Sequence, residues 1–133
     1  MPPLATRPGT TAAANPSPSR AAILDALALV PGLIPTATMP ETPMPGAAWP
    51  VWAESRYRAG KLTRPLTHTY EVRVILPNGW LPETVDTADG LLDGLCAALS
   101  TVGILDAASP VQIVFGSNQS MPGINARLTV VLR

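Results

Sequence analysis

The sequence predicts an α+β fold, a mostly antiparallel sheet packed by two helices in the order α-β-β-β-α-β-β. Three observations carry that expectation. Apolar residues repeat at helical spacing in two places, before Pro31 and between Val85 and Val102. Apolar and polar residues alternate with period two from His68 to Leu76 and again near the C-terminus, as a half-buried strand requires. The links between these segments are short, which favours antiparallel neighbours with helices laid on the sheet.

Residues 1–18 hold no apolar periodicity and many Pro, Thr and Ala, the composition of a disordered or extended arm. Residues 19–133 are then expected to form one domain, in line with a length of 133 residues. A first helix is expected from Ser19, with Ser17 or Ser19 able to cap it by accepting from free backbone N–H groups. Ala22, Ile23, Ala26, Leu27 and Val30 form its apolar stripe, and Pro31-Gly32 stops it. Leu33–Thr38 reads as a short strand and Met39–Ala47 as a proline-stiffened loop. Ala48–Tyr57 reads as a strand in which Pro50 demands an edge position or the first residues, because proline cannot donate to a ladder. Arg58–Thr67 reads as a polar loop.

His68–Leu76 is the clearest strand. Tyr70, Val72, Val74 and Leu76 are expected on one face, with Glu71, Arg73 and Ile75 on the other. Pro77-Asn78-Gly79 ends it. In the second helix Val85, Ala88, Leu92, Leu95, Leu99 and Val102 step by three and four, widened by Leu91, Cys96 and Ala98. Gly90 and Gly94 each cost up to about 1 kcal/mol there, a loss expected to be offset by close approach to the sheet. Gly103 ends the helix. Val111–Phe115 and Leu128–Leu132 complete the chain as alternating strands around the loop 116–123.

Composition narrows function. Hydrophobic residues make up 47% and charged residues 14%, with no net charge. A typical domain carries about 25% charged residues, and near-zero net charge favours association. The exterior is therefore expected to be covered in part by other protein. A neutral chain with no basic block is a poor candidate for binding nucleic acid through its phosphates. No apolar run approaches the roughly 20 residues that span a bilayer. The N-terminus has no charged start followed by an apolar segment, so no secretory signal is expected. The single Cys96 cannot form an internal disulfide, which suits a reducing compartment.

Candidate chemistry is sparse. Asp86, Asp89 and Asp93 share a helix face, but calcium and magnesium need more oxygen ligands than one face supplies. A solvated stripe is the expected reading. His68, the only histidine, has no acid or nucleophile that the sequence brings to it, and general acid–base work needs a positioned partner. Cys96 reads as a small buried hydrophobe. No phosphate-loop, zinc or nucleophile-elbow motif occurs. No enzyme activity, cofactor or metal is expected.

Charge order is more telling. Five of nine basic residues, Arg56, Arg58, Lys61, Arg64 and Arg73, precede five of nine acids, Glu83, Asp86, Asp89, Asp93 and Asp106. One reading is a basic edge and an acidic helix face that meet between neighbouring copies, as in a closed ring. The other is two unrelated solvated faces. Trp49, Trp52 and Trp80, flanked by prolines, suit either exposed interface edges or a core.

Several segments, SRAAILDALALVPGL, TPMPGAAWPVWAESRY, YEVRVILPNG, TVDTADGLLDGLCAALSTVG, PVQIVFG and INARLTVVLR, occur in an order and texture that resembles the tail-terminator proteins of long-tailed bacteriophages. The resemblance covers about residues 19–133 and leaves the arm unaccounted for. It implies a virion protein that forms a ring, hexameric in that family, without catalytic residues, assembled in the host cytoplasm. Such a ring caps the tail tube, ends its polymerisation and joins the connector or stopper of the head. Its implied partners are further copies of itself, the tail tube protein, the connector, and genomic DNA passing through without sequence recognition. Arg56, Arg58, Lys61 and Arg64 with Asp86, Asp89 and Asp93 would be its subunit-contact or channel residues. The alternatives are another neck or head-completion component and, in a different class, a small α+β ligand-binding domain or enzyme of a bacterial host.

Overall fold

The computed structural model describes residues 17–42, 44–59, 61–76, 82–115 and 119–132; the side chains of 17, 58, 61–64 and 82–88 lie outside the described set. Seven elements follow one another: α1 (Ser17–Leu27), β1 (Ile34–Pro35), β2 (Ala47–Arg58), β3 (Lys61–Ile75), α2 (Pro82–Leu99), β4 (Ile104–Val114) and β5 (Ser120–Val131). The five strands form one sheet in the order β1-β2-β3-β5-β4. The α+β class and the element order are those expected from the sequence.

The sheet is built around β3. Its side chains Tyr70, Val72 and Val74, with Leu76 just beyond, are fully buried on one face. There they join Ile124, Ala126, Leu128 and Val130 of β5 and Ala48 of β2 beneath both helices. Ile23, Ala26, Leu27 and Val30 come down from α1 and its following turn, and Leu91, Leu95, Ala98 and Leu99 from α2. Ile75 points to the opposite face, into a second cluster with Ala47, Trp49, Ile113 and Phe115. The period-two split read from the β3 sequence is therefore the split between the two cores.

Several local expectations are corrected. The first helix already includes Ser17 and Pro18, two residues before the expected Ser19; residues 1–16 lie outside the described residues. Ser19 is not a cap but a buried residue, hydrogen-bonded to the Tyr70 hydroxyl. Burial pushes the Tyr70 pKa up, with Ser19 and Arg20 pulling it back in part. The strand expected over Leu33–Thr38 is only two residues long, and it pairs with β2 in parallel rather than antiparallel. Its length is limited by Pro50. Ile34 N donates to Gly46 O and Thr36 N to Ala48 O, so every second β2 residue turns its backbone toward β1. The next donor on that side would be the nitrogen of Pro50, which has no hydrogen.

The polar loop expected over Arg58–Thr67 does not exist as a loop. β2 runs on to Arg58 and β3 begins at Lys61, with Arg58 paired to Lys61. β4 and β5 are likewise longer than their alternating cores suggested, and they absorb Asp106 and residues 120–123 of the loop placed at 116–123. Gly90 and Gly94 do not approach the sheet. A side chain at Gly90 would meet nothing within 4 Å, and one at Gly94 would touch Val30 of the α1 end at 3.5 Å. The close approach belongs to Gly103, where a Cβ would strike the Thr129 carbonyl. Gly46 is needed for a second reason: φ is +87°, and its back is against the Gly32 carbonyl. Trp49 is in the second core, Trp52 is 49% exposed on β2, and Trp80 lies outside the described residues.

Two measurements check this packing. Leu95→Ala, at a fully buried position, is expected to cost about 2–5 kcal/mol in urea unfolding. Gly90→Ala, in open space on the helix, is expected to stabilise the fold by up to about 1 kcal/mol; a loss of stability there would show that the glycine has a contact after all.

Candidate functional site

The helices cover one face of the sheet, and the other face carries the polar residues. Thr67, Thr69, Glu71 and Arg73 of β3 alternate with the buried set and lie beside Asn125, Arg127 and Thr129 of β5 in antiparallel register. Glu54 of β2 sits at the centre. Its Oε1 accepts from Arg127 at 3.1 Å, and its Oε2 from Arg56 at 3.3 Å. The Thr129 hydroxyl donates to Asp106 Oδ2 at 2.7 Å, which draws β4 into the group. With Thr67 and Thr69 these residues line a shallow depression of roughly 300 Å³. Nearer the second core, Arg73 lies 3.9 Å from Glu71, and Asn125 Nδ2 donates to Glu71 at 3.4 Å.

This arrangement redistributes the charges singled out in the sequence. Arg56 pairs with Glu54, a carboxylate it shares with Arg127; the acid arrives from two residues earlier on the same strand, past a bulge between Trp52 and Glu54. Arg73 is likewise balanced by Glu71. Arg58, Lys61 and Arg64 lie along the β2–β3 ribbon, their side chains outside the described residues. Asp89 and Asp93 are exposed one turn apart on α2. The Asp86 side chain lies outside the described residues. Asp106 belongs to the sheet face rather than to the helix. The structure thus keeps the ribbon bases and the helix acids on separate elements of one molecule. Exposed ion pairs such as Arg56–Glu54 contribute little stability, about 0–1 kcal/mol, so their effect is to set which charges remain available.

His68 has a partner that the sequence did not bring to it. Register places Ser55 opposite it, with Ser55 Oγ 2.5 Å from His68 Nδ1. The Trp52 indole N–H donates to the same hydroxyl at 3.0 Å. The group is satisfied when Ser55 accepts from Trp52 and donates to Nδ1, which puts the ring proton on Nε2. That Nε2 is buried and has no hydrogen-bond partner among the described residues. The β2 bulge is the source of the pair, since it shifts Ser55 by one position, and bulges leave no signal in a period-two pattern. Cys96 is half-buried and reduced. Among the described residues no three His, Cys, Asp or Glu side chains gather as a metal site requires, and no helix is long and apolar enough to cross a membrane. No protein-family model and no curated protein matches the chain.

Burial holds the His68 pKa below its ordinary 6.5. The unfolded chain then takes up a proton before the folded one does as pH falls. The stabilisation from the neutral ring is complete above about pH 6.5 and is lost as pH drops through 6.5 toward the lower folded value. Urea midpoints measured between pH 7.5 and 5 should fall on acidification, and His68→Gln should flatten that slope.

Proposed function

We propose that this chain is a structural subunit of a bacteriophage neck, of the tail-terminator type. In this reading it forms a ring on the end of the tail tube, ends tube polymerisation and joins the tail to the head connector, with DNA passing through unread. Its place is the virion, and it carries no catalytic role.

One observation supports the reading beyond the resemblance. β5 pairs with β3 only from Thr67 onward, so residues 57–58 and 61–65 form a two-stranded ribbon with no third strand beside it among the described residues. Isolated ribbons of that kind are marginal in water. This one holds Arg58, Lys61 and Arg64 and no acid. A basic, weakly supported ribbon on one side and the exposed Asp89 and Asp93 on another are the pieces a head-to-tail contact between identical subunits uses. The low overall charge and the exposed Trp52, Ile104 and Val131 favour a surface that other protein covers.

A second reading, a ligand-binding domain of a bacterial host, draws on the depression around Glu54 and Arg127. The two readings differ in what holds the molecule's charges. For a ring, reversing Arg58, Lys61 and Arg64 together to Glu should reduce the assembled mass seen by native mass spectrometry with preassembled tail tubes present. Reversing Asp89 and Asp93 to Lys in that variant should restore it. A wild-type chain that stays a monomer with and without tubes would overturn the terminator reading, and an unchanged mass in the triple variant would remove the ribbon from the contact.

A further inference from the structure

Among the described residues the sheet has two free sides. On one, β4 pairs only with β5. On the other, β1 covers β2 only as far as Ala48, and no other described strand pairs with that side of β2 from there to Arg58. Both bare stretches are rich in strand-forming apolar residues, Val51 and Trp52 on one and Val111, Ile113 and Val114 on the other. Trp52 and Val114 are 49% and 64% exposed. On a chain with 14% charged residues and no net charge, such edges are templates for pairing with another chain.

The backbone directions show what each edge offers. Phe115 N donates to Gln119 O, so Phe115 faces β5. By alternation Val111 and Ser109 face β5 as well, while Val114, Gln112 and Pro110 face outward. The carbonyl of Pro122 accepts from Leu76, which turns the even-numbered residues of β5 to β3 and its odd-numbered residues to β4, in agreement with the register Val111↔Gly123. On the other side the carbonyls of Gly46 and Ala48 face β1, while Gly46 N donates the other way to Ile75 O, and alternation from Ala48 turns Pro50 outward. Within β1, Ile34 and Thr36 face β2, and Pro35 between them faces out. Each free edge therefore presents a proline nitrogen where a strand would need a donor. Each also carries a bulge close by, between Trp52 and Glu54 on β2 and between Leu105 and Ala107 on β4. A bulge twists an edge out of register with a flat partner.

We propose that Pro35, Pro50 and Pro110, with these two bulges, close both edges of the sheet to strand addition, so that copies of this chain meet through faces and the ribbon and never by extending the sheet. The device acts on backbone hydrogen bonding alone. It is independent of which assembly the chain belongs to, and it stands whether or not the terminator reading holds.

The test uses the full chain with Pro110, the exposed member, replaced by Thr. This restores an outward N–H at the middle of β4. Far-UV circular dichroism should be unchanged, while sedimentation shifts to larger species than wild type and thioflavin fluorescence rises, both with concentration. Ser109→Val serves as a control, because it adds apolar β-branched surface at an exposed neighbour whose N–H already faces β5; it should leave sedimentation at the wild-type value. Adding Gln112→Pro to Pro110→Thr places a new outward proline two residues away and should reverse the shift. A folded Pro110→Thr variant that sediments as wild type overturns the proposal. So does an equal shift in Ser109→Val, which would assign the effect to surface hydrophobicity.

Discussion

Burial of alternate side chains of β3 beneath two helices is the interaction on which the rest of the molecule depends. Tyr70, Val72 and Val74 are all at zero exposure, in the middle of the sheet, with β2 on one side and β5 on the other. Each large aliphatic or aromatic side chain buried in this way contributes about 1.5–3 kcal/mol. A slip of one residue would turn the whole set to the opposite face and bring Glu71 and Arg73 under the helices. Register is therefore strongly specified at β3, and the neighbours inherit it. The same alternation delivers Thr67, Thr69, Glu71 and Arg73 to the open face, where the ion pairs and the depression lie.

The second constraint is where the backbone has no donor. Pro50 ends the β1 ladder after two residues and then sits on the outer side of β2. Pro110 does the same for β4. A proline in a central strand would remove a ladder bond, but here each faces away from its paired neighbour and removes nothing. The same residues thus shape the length of β1 and the character of both edges. The polar face is tied together in a different way, by Glu54 bridging Arg56 and Arg127 and by Thr129 donating to Asp106, across three strands. In a chain with so few charges, Glu54, Arg56, Glu71, Arg73 and Arg127 are paired with one another on the sheet, while Asp89 and Asp93 stand exposed on α2.

His68 shows how much of a site depends on one irregularity. Its strand position and inward face follow from its place two residues before Tyr70. Its partner Ser55 follows from the β2 bulge, and the bulge has no trace in the pattern of apolar residues. The extension of β2 and β3 into a ribbon was hidden for a related reason. Among the described residues, 58 and 61–65 have no third strand beside them, and an uncovered hairpin and a loop have the same composition. The glycines of α2 misled in the opposite direction. Gly90 and Gly94 look like contact positions in a helical pattern, whereas the backbone that needs a missing Cβ is at Gly103, against Thr129.

The sequence by itself determined the α+β class, the order of the elements, the two faces of β3 and the helix stripes, because these are properties of periodicity, and periodicity is local. It also required an edge position or the first residues of a strand for Pro50, since a missing donor excludes a central ladder position. Only the tertiary structure decided the parallel pairing of β1, the pairing of Ser55 with His68, the pairing of Arg56 with Glu54 and the outward aim of Pro110. Each of these depends on which strands become neighbours and in what register, and that choice is made by residues far apart in the chain packing against one another.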